Sequence, residues 1–124
     1  MEPLKLIEHA LKAQKNSQSK YSNFPVGSAI LCSDQSVIYG CNIESAVYPS
    51  TLCAERVAIY SALSQGLKDF EAIAIVSNNA AKPCGSCRQI IYEYLGNIPI
   101  YISDSKGKEY TTFYIKDLLP YPFG

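Results

Sequence analysis

The run Ala72-Ile73-Ala74-Ile75-Val76 is apolar at every position. A strand this short without polar alternation fits a place in a sheet covered on both faces. Helical and strand signals flank it. Leu4, Ile7, Ala10 and Leu11 recur at helical spacing and predict an amphipathic helix over about 3–15. Val26 to Cys32 and Val37 to Cys41 read as strands paired through the turn Ser33-Asp34-Gln35-Ser36. A loop from Asn42 to Ser50 leads into a helix over about Cys53 to Gln65, with Ser50 or Thr51 as its cap and Gly66 as its stop. A third helix, about Cys84 to Leu95, closes at Gly96. Strands follow at about Ile98 to Ser103 and Glu109 to Phe113, then a short helix near Ile115 to Leu119. The order α-β-β-α-β-α-β-β predicts an α/β fold, a mixed five-stranded sheet with helices packed on it.

At 124 residues the chain is expected to form a single domain, 1–124, large enough for a core without staples. Eleven basic and eleven acidic side chains cancel, so there is no basic field to hold a phosphate backbone. No apolar run approaches the ~20 residues needed to span a bilayer. The start Met1-Glu2-Pro3 lacks the basic-then-apolar pattern of a secretory signal, which points to a cytoplasmic protein. In that compartment five cysteines favour metal binding or catalysis over a disulfide framework.

The cysteines fall where that chemistry needs them. Cys53-Ala54-Glu55 opens one predicted helix, and Pro83-Cys84-Gly85-Ser86-Cys87 opens the next. Cys84 and Cys87, three apart at a helix start, bring their sulfurs to one face. Zinc takes thiolates, and a catalytic site uses three protein ligands and leaves a fourth position for water. Helix N-termini favour thiolate over thiol, and two of them would offset three negative sulfurs. Glu55 lies about 200° around the helix from Cys53, so it is not a co-ligand from the same face. A carboxylate beside metal-activated water is placed to take its proton. A lone Cys-x-x-Cys also fits a redox pair or part of a structural zinc site. Cys53, Glu55 and Pro83 make the joint pattern more specific. Cys32 and Cys41 fall in strands and read as small buried hydrophobes. His9 lies away from every motif.

These motifs resemble those of the short, homotetrameric, zinc-dependent cytidine deaminases. The zinc-deaminase signature is H-x-E…P-C-x-x-C with a three-cysteine variant. The resemblance runs from Tyr21 to about Phe123. It includes Tyr21-Ser22-Asn23-Phe24-Pro25-Val26-Gly27, Gly40-Cys41-Asn42-Ile43-Glu44, Cys53-Ala54-Glu55-Arg56, Pro83-Cys84-Gly85-Ser86-Cys87-Arg88-Gln89 and Leu118-Leu119-Pro120. It implies the family's three-layer fold and hydrolytic deamination of cytidine and deoxycytidine in pyrimidine salvage, with one zinc per chain on Cys53, Cys84 and Cys87. Glu55 would shuttle protons. The Ala54 amide would hold the 2-keto oxygen, Asn42 and Glu44 the ribose 3′-hydroxyl, and Phe24 would pack on the base. Tyr48 and Phe123 would reach the active site of an adjacent subunit in a homotetramer. Arg56 would bond the sulfurs and restore Lewis acidity to an otherwise negative site.

Ser45, Val57 and Ser28 stand where many members have Asn, Thr and Ala. Blasticidin deaminase is the nearest enzymatic rival, and Glu44, as a sugar reader, argues against it. Non-catalytic zinc modules and thiol-redox proteins are the rivals from other classes. The first tolerates loss of Glu55, and the second predicts a reversible Cys84–Cys87 disulfide.

Overall fold

A computed structural model describes residues 1–124. Its elements are α1 (Pro3–Gln14), β1 (Val26–Cys32), β2 (Val37–Cys41), α2 (Ala54–Ser64), β3 (Phe70–Ser77), α3 (Gly85–Tyr94), β4 (Ile100–Asp104), β5 (Thr111–Phe113) and α4 (Ile115–Leu118), with a 3-10 turn at Tyr48–Ser50. The strands form one sheet in the order β2-β1-β3-β4-β5. β3, which contains the unbroken apolar run, occupies the centre, and its residues from Ala72 to Ser77 are all buried.

Side-chain alternation along the strands divides the core between two faces. Ala29, Leu31, Ala72, Ala74 and Val76 meet Leu6, Ile7 and Ala10 of α1. On the other face Ile30, Ile73, Ile75 and Ile100 pack with Ile59 of α2, Ile91 of α3 and Ile115 of α4. The molecule therefore has three layers, with α1 below the sheet and the other helices above it.

β1 and β2 form the expected antiparallel hairpin, from Gly27↔Cys41 to Leu31↔Val37. Its turn is tied by the Asp34 carboxylate, which accepts the Ser36 N–H at 3.0 Å. β1 also runs antiparallel to β3, so β2 and β3 are parallel with β1 between them. β3 and β4 are parallel neighbours joined through α3. The cleft described below lies where β2 and β3 finish, the carboxyl end at which open α/β sheets accept ligands.

The boundaries depart from expectation in small, explicable ways. β4 starts at Ile100 because Pro99 has no N–H to give, although its carbonyl still accepts from Ile73 at 3.1 Å. α2 starts later than a Ser50 or Thr51 cap would place it. Ser50 ends the 3-10 turn, and the N-cap position belongs to Cys53. Gly66 and Gly96 take positive φ just past α2 and α3, as a helix stop requires.

One close approach fixes α2 on the sheet. A Cβ on Gly40 of β2 would run into the Ala54 carbonyl oxygen and lie 2.5 Å from the Ala58 nitrogen. Only glycine lets the first turn of α2 settle there, and that turn carries Ala54 and Glu55.

Candidate active site

Cys53 is the N-cap residue of α2 and Cys84 that of α3, and neither makes a side-chain capping bond. Serine or aspartate in such a place would turn back onto the helix. These sulfurs turn outward to each other instead. Cys53 and Cys84 Sγ lie 3.7 Å apart, and Cys84 and Cys87 Sγ 3.5 Å. All three sulfurs fall within 4.8 Å of one another, and all three cysteines are free. Tetrahedral coordination at a Zn–S distance of about 2.3 Å sets sulfurs about 3.8 Å apart, and both of these separations fit zinc. No other His, Cys, Asp or Glu joins the group, which leaves a fourth position open. Burial raises the thiol pKa of both Cys32 and Cys41, and neither belongs to the set.

The charge of this cluster is distributed unevenly. The neighbouring Cys87 thiol, with help from Arg56 and Cys84, outweighs burial to hold Cys53 well below the usual thiol range. Cys87 is pushed up in turn by Cys53, then by its burial and by the negative groups beside it. Arg56 Nη2 donates to Cys53 Sγ at 3.5 Å. Its Nε is buried with no hydrogen-bond partner, an orphaned donor in the first turn of α2. A guanidinium held against the sulfurs offsets the thiolate charge.

Glu55 follows Ala54 into the first turn of α2 and is 4 % exposed. Burial pushes its carboxyl up to about 7, and the nearby Cys53 thiolate adds to the rise. Glu55 opens on a cleft of about 320 Å³ that Phe24, Asn42, Glu44, Ala54, Cys53 and Cys84 also line. That volume falls in the range of small-molecule sites.

The far wall is made of loop. Asn42–Glu44 runs extended between Gln18 and Leu52, with which Ile43 forms isolated bridges. Asn42 is buried. Its Oδ1 accepts from Val26 N at 2.9 Å and from the Ser17 hydroxyl, and its Nδ2 donates to the Phe24 carbonyl at 2.8 Å. Glu44 Oε1 accepts the N–H groups of Tyr21 and Ser22, each at 3.0 Å, while Oε2 accepts the Ser22 hydroxyl. The Ser22 hydroxyl is the main cause holding Glu44 below the usual carboxylate range.

Nine of the predicted site residues thus come together: Cys53, Cys84, Cys87, Glu55, Ala54, Arg56, Phe24, Asn42 and Glu44. Tyr48 lies outside the cleft, on an adjoining depression shared with Tyr21, Glu44 and Ser45, and is 78 % exposed. Phe123 does not line the cleft. Its backbone is pinned to α3, with Gln89 Nε2 donating to its carbonyl at 2.9 Å and its N–H donating to Gln89 Oε1 at 3.0 Å. Of the three departures from the family pattern, Ser28 is fully buried and donates to the Ala74 carbonyl at 3.0 Å. The Ser45 hydroxyl accepts the Val47 N–H at 3.0 Å.

Sequence reasoning assigned no role to Ser17, Ser22 or Lys82. Ser22 stands inside a motif, so its position was visible but its partner, 22 residues away, was not. Lys82 lines the cleft, and no local pattern marks it. Arg88 is structural: its Nε donates to the Pro83 carbonyl and its Nη1 to the Leu118 carbonyl, both at 2.8 Å, tying the entrance of α3 to the C-terminal segment.

Residues 2–101 match the family described as the cytidine and deoxycytidylate deaminase zinc-binding region. The chain is 42% identical over 127 residues to a cytidine deaminase of Sporosarcina psychrophila, covering 99% of this chain and 92% of that one. It is 40% identical to a cytidine deaminase of Halalkalibacterium halodurans, covering 95% and 91%. Among solved structures, the crystal structure of a cytidine deaminase from Burkholderia pseudomallei superposes with a TM-score of 0.93 at 37% identity, covering 99% of this chain and 100% of that one.

Proposed function

The chain belongs to the cytidine and deoxycytidylate deaminase zinc-binding family, and from that premise we propose that it hydrolyses free cytidine and deoxycytidine to the uracil nucleosides and ammonia. The observation that carries this reading is the cleft itself. A buried carboxylate and two sulfurs of the three-cysteine cluster share with Asn42 and Glu44 one space of nucleoside size.

Cys53, Cys84 and Cys87 would hold one zinc in this reading, and when bound it would supply the Lewis acidity that makes water a nucleophile near neutral pH. Glu55 would take a proton from the attacking water as oxygen adds to C4 of the base, and give it to N3. It then moves the second proton onto the exocyclic nitrogen. The C4–N bond breaks and ammonia leaves, while C4 keeps the oxygen as the new carbonyl. The Ala54 amide, among the unpaired N–H groups of the helix start, holds the 2-keto oxygen. Phe24 packs on the base, and Asn42 and Glu44 hold the 3′-hydroxyl. Arg56 keeps the sulfurs from donating too much charge.

The whole chain, 1–124, serves as one catalytic domain. The assembly we assign is a homotetramer with active sites completed across subunits. Tyr48, Tyr121 and Phe123 support it, since one chain alone leaves them 78 %, 94 % and 87 % exposed. Tyr48 and Phe123 would each complete a neighbour's site. No helix is long and apolar enough to cross a membrane. We assign the chain to the cytoplasm as a salvage enzyme, and its neutral net charge accords with action on free nucleosides rather than on nucleic acid.

The test is loss of the cytosine absorbance band during turnover by purified protein, with zinc assayed on the same sample. Cytidine turnover at about one zinc per chain is the expected result. Full zinc without turnover of cytidine or deoxycytidine would sink the substrate assignment. Light scattering that found a fully active monomer would remove the shared-site roles of Tyr48 and Phe123.

A further inference from the structure

The hydrogen-bonding capacity left free on the loop wall is small and specific. A carboxylate offers about four acceptor positions across its two oxygens. On Glu44 the Tyr21 and Ser22 amides fill Oε1, and the Ser22 hydroxyl takes one position on Oε2. One acceptor position remains, on Oε2. Asn42 is committed in the same way. Its Oδ1 already accepts twice, and its Nδ2 has given one of its two N–H groups to Phe24. One donor remains. Both side chains line the same cleft, and one acceptor with one donor is the complement of one hydroxyl group.

Ser22 links this arrangement to the wall that packs on the base. Its Oγ accepts the Phe24 N–H at 3.1 Å while donating to Glu44. The Phe24 peptide is thus held at its N–H by Ser22 and at its carbonyl by Asn42. The chain between them turns through Asn23 at a φ of 54°, a left-handed conformation that asparagine tolerates.

We infer that Ser22 is a positioning residue for sugar recognition: its hydroxyl occupies one site on Glu44 Oε2 and so orients the remaining one toward the nucleoside's 3′-hydroxyl. The inference rests on the deaminase reading above. Ser22 acts through Glu44, not on the reacting atoms. Its removal leaves the carboxylate held through Oε1 alone and leaves Oε2 with two acceptor positions open to water.

The experiment compares cytidine with 3′-deoxycytidine on the zinc-loaded wild type, Ser22→Ala, Ser22→Thr, Glu44→Ala and the double variant Ser22→Ala/Glu44→Ala. For Ser22→Ala the expected result is a rise of roughly tenfold in KM for cytidine, the scale of one charge-assisted hydrogen bond, with little change in kcat. KM for 3′-deoxycytidine should rise far less, because there Ser22→Ala loses only its hold on the Phe24 N–H. Ser22→Thr, which keeps the hydroxyl, should restore the discrimination. The double variant should lose no more than Glu44→Ala alone. Ser22→Cys is read alongside, because its thiol keeps the shape of serine with a weak donor and covers the case in which alanine unfolds the loop.

An equal rise for both nucleosides would overturn the inference and reduce Ser22 to a support for the Phe24 loop. Additive losses in the double variant would overturn it too, since Ser22 would then act independently of Glu44. An unchanged KM for cytidine has the same force. If the zinc-loaded wild type turns over neither nucleoside, the deaminase reading itself falls and takes this inference with it, an outcome unlike the other three.

Discussion

The two ends of the cleft are held by different kinds of structure. At the sulfur end, Cys53, Glu55, Cys84 and Cys87 stand on the first turns of α2 and α3, whose later residues are locked into the core by Ile59 and Ile91. At the sugar end, Asn42 and Glu44 stand on an extended loop fixed by hydrogen bonds from Ser17, Tyr21 and Ser22. Buried helix packing holds a group to a fraction of an ångström, as proton transfer and metal geometry require. A loop laced by exchangeable hydrogen bonds suffices to read a hydroxyl. Variants at the sulfur end should therefore act on kcat and zinc, and variants at the sugar end on KM.

The widest separation is expected for Glu55→Gln. The amide keeps the shape of this buried side chain but cannot take a proton. Turnover should fall by about 10²–10⁴-fold, the range for losing a general acid–base group, while zinc content and cytidine KM hold. Substantial turnover in a metal-replete sample would break the comparison at its base. Arg56→Ala should come next. It removes a donor to Cys53 Sγ, and losing a group that supports metal ligands typically costs about 10–100-fold in affinity. Competition with a chelator measures this directly. Unchanged zinc retention and kinetics would return Arg56 to the status of an ordinary helix charge.

Gly40→Ala tests the sulfur end from the sheet beneath it. The new methyl must displace the Ala54 carbonyl or the Ala58 backbone, and overpacking of this kind destabilises by about 1–3 kcal/mol. Denaturant unfolding should show that loss, and kcat should fall more than KM rises because α2 carries Glu55. A rise in KM alone would mean that α2 had not moved.

The same division decides what the amino-acid sequence discloses. The sulfur end is legible because its spacing is local: only two residues separate Cys84 from Cys87, and each motif opens a helix whose periodicity is visible. The centre of the sheet was legible for a similar reason, since Ala72–Val76 lacks any polar face. The cap on α2 was not. Thr51 looks like a capping residue, but its hydroxyl accepts the Ser45 N–H at 3.0 Å, and Cys53 takes the N-cap place. The sugar end was half legible. Asn42 and Glu44 could be named from their motif, but not the serines that orient them, because a contact between positions 17 and 42 leaves no periodic trace.

Ser17→Ala is the smallest expected effect and the finest probe of the comparison. Ser17 lies outside every motif, on the chain just past α1, where it is half-buried. Its hydroxyl donates to Asn42 Oδ1, which also accepts from Val26 N at 2.9 Å. Asn42 would thus keep its Val26 and Phe24 bonds, and only the restraint from α1's end would go. A neutral hydrogen bond contributes about 1 kcal/mol net, and part of that would be recovered by water at a half-exposed site, so KM for cytidine should rise about threefold. Neither kcat nor zinc content should change, since no contact runs from Ser17 to the sulfur end. If kcat fell while KM held, the loop would be transmitting strain to Glu55, and the two ends of the cleft would have to be treated as one mechanical unit.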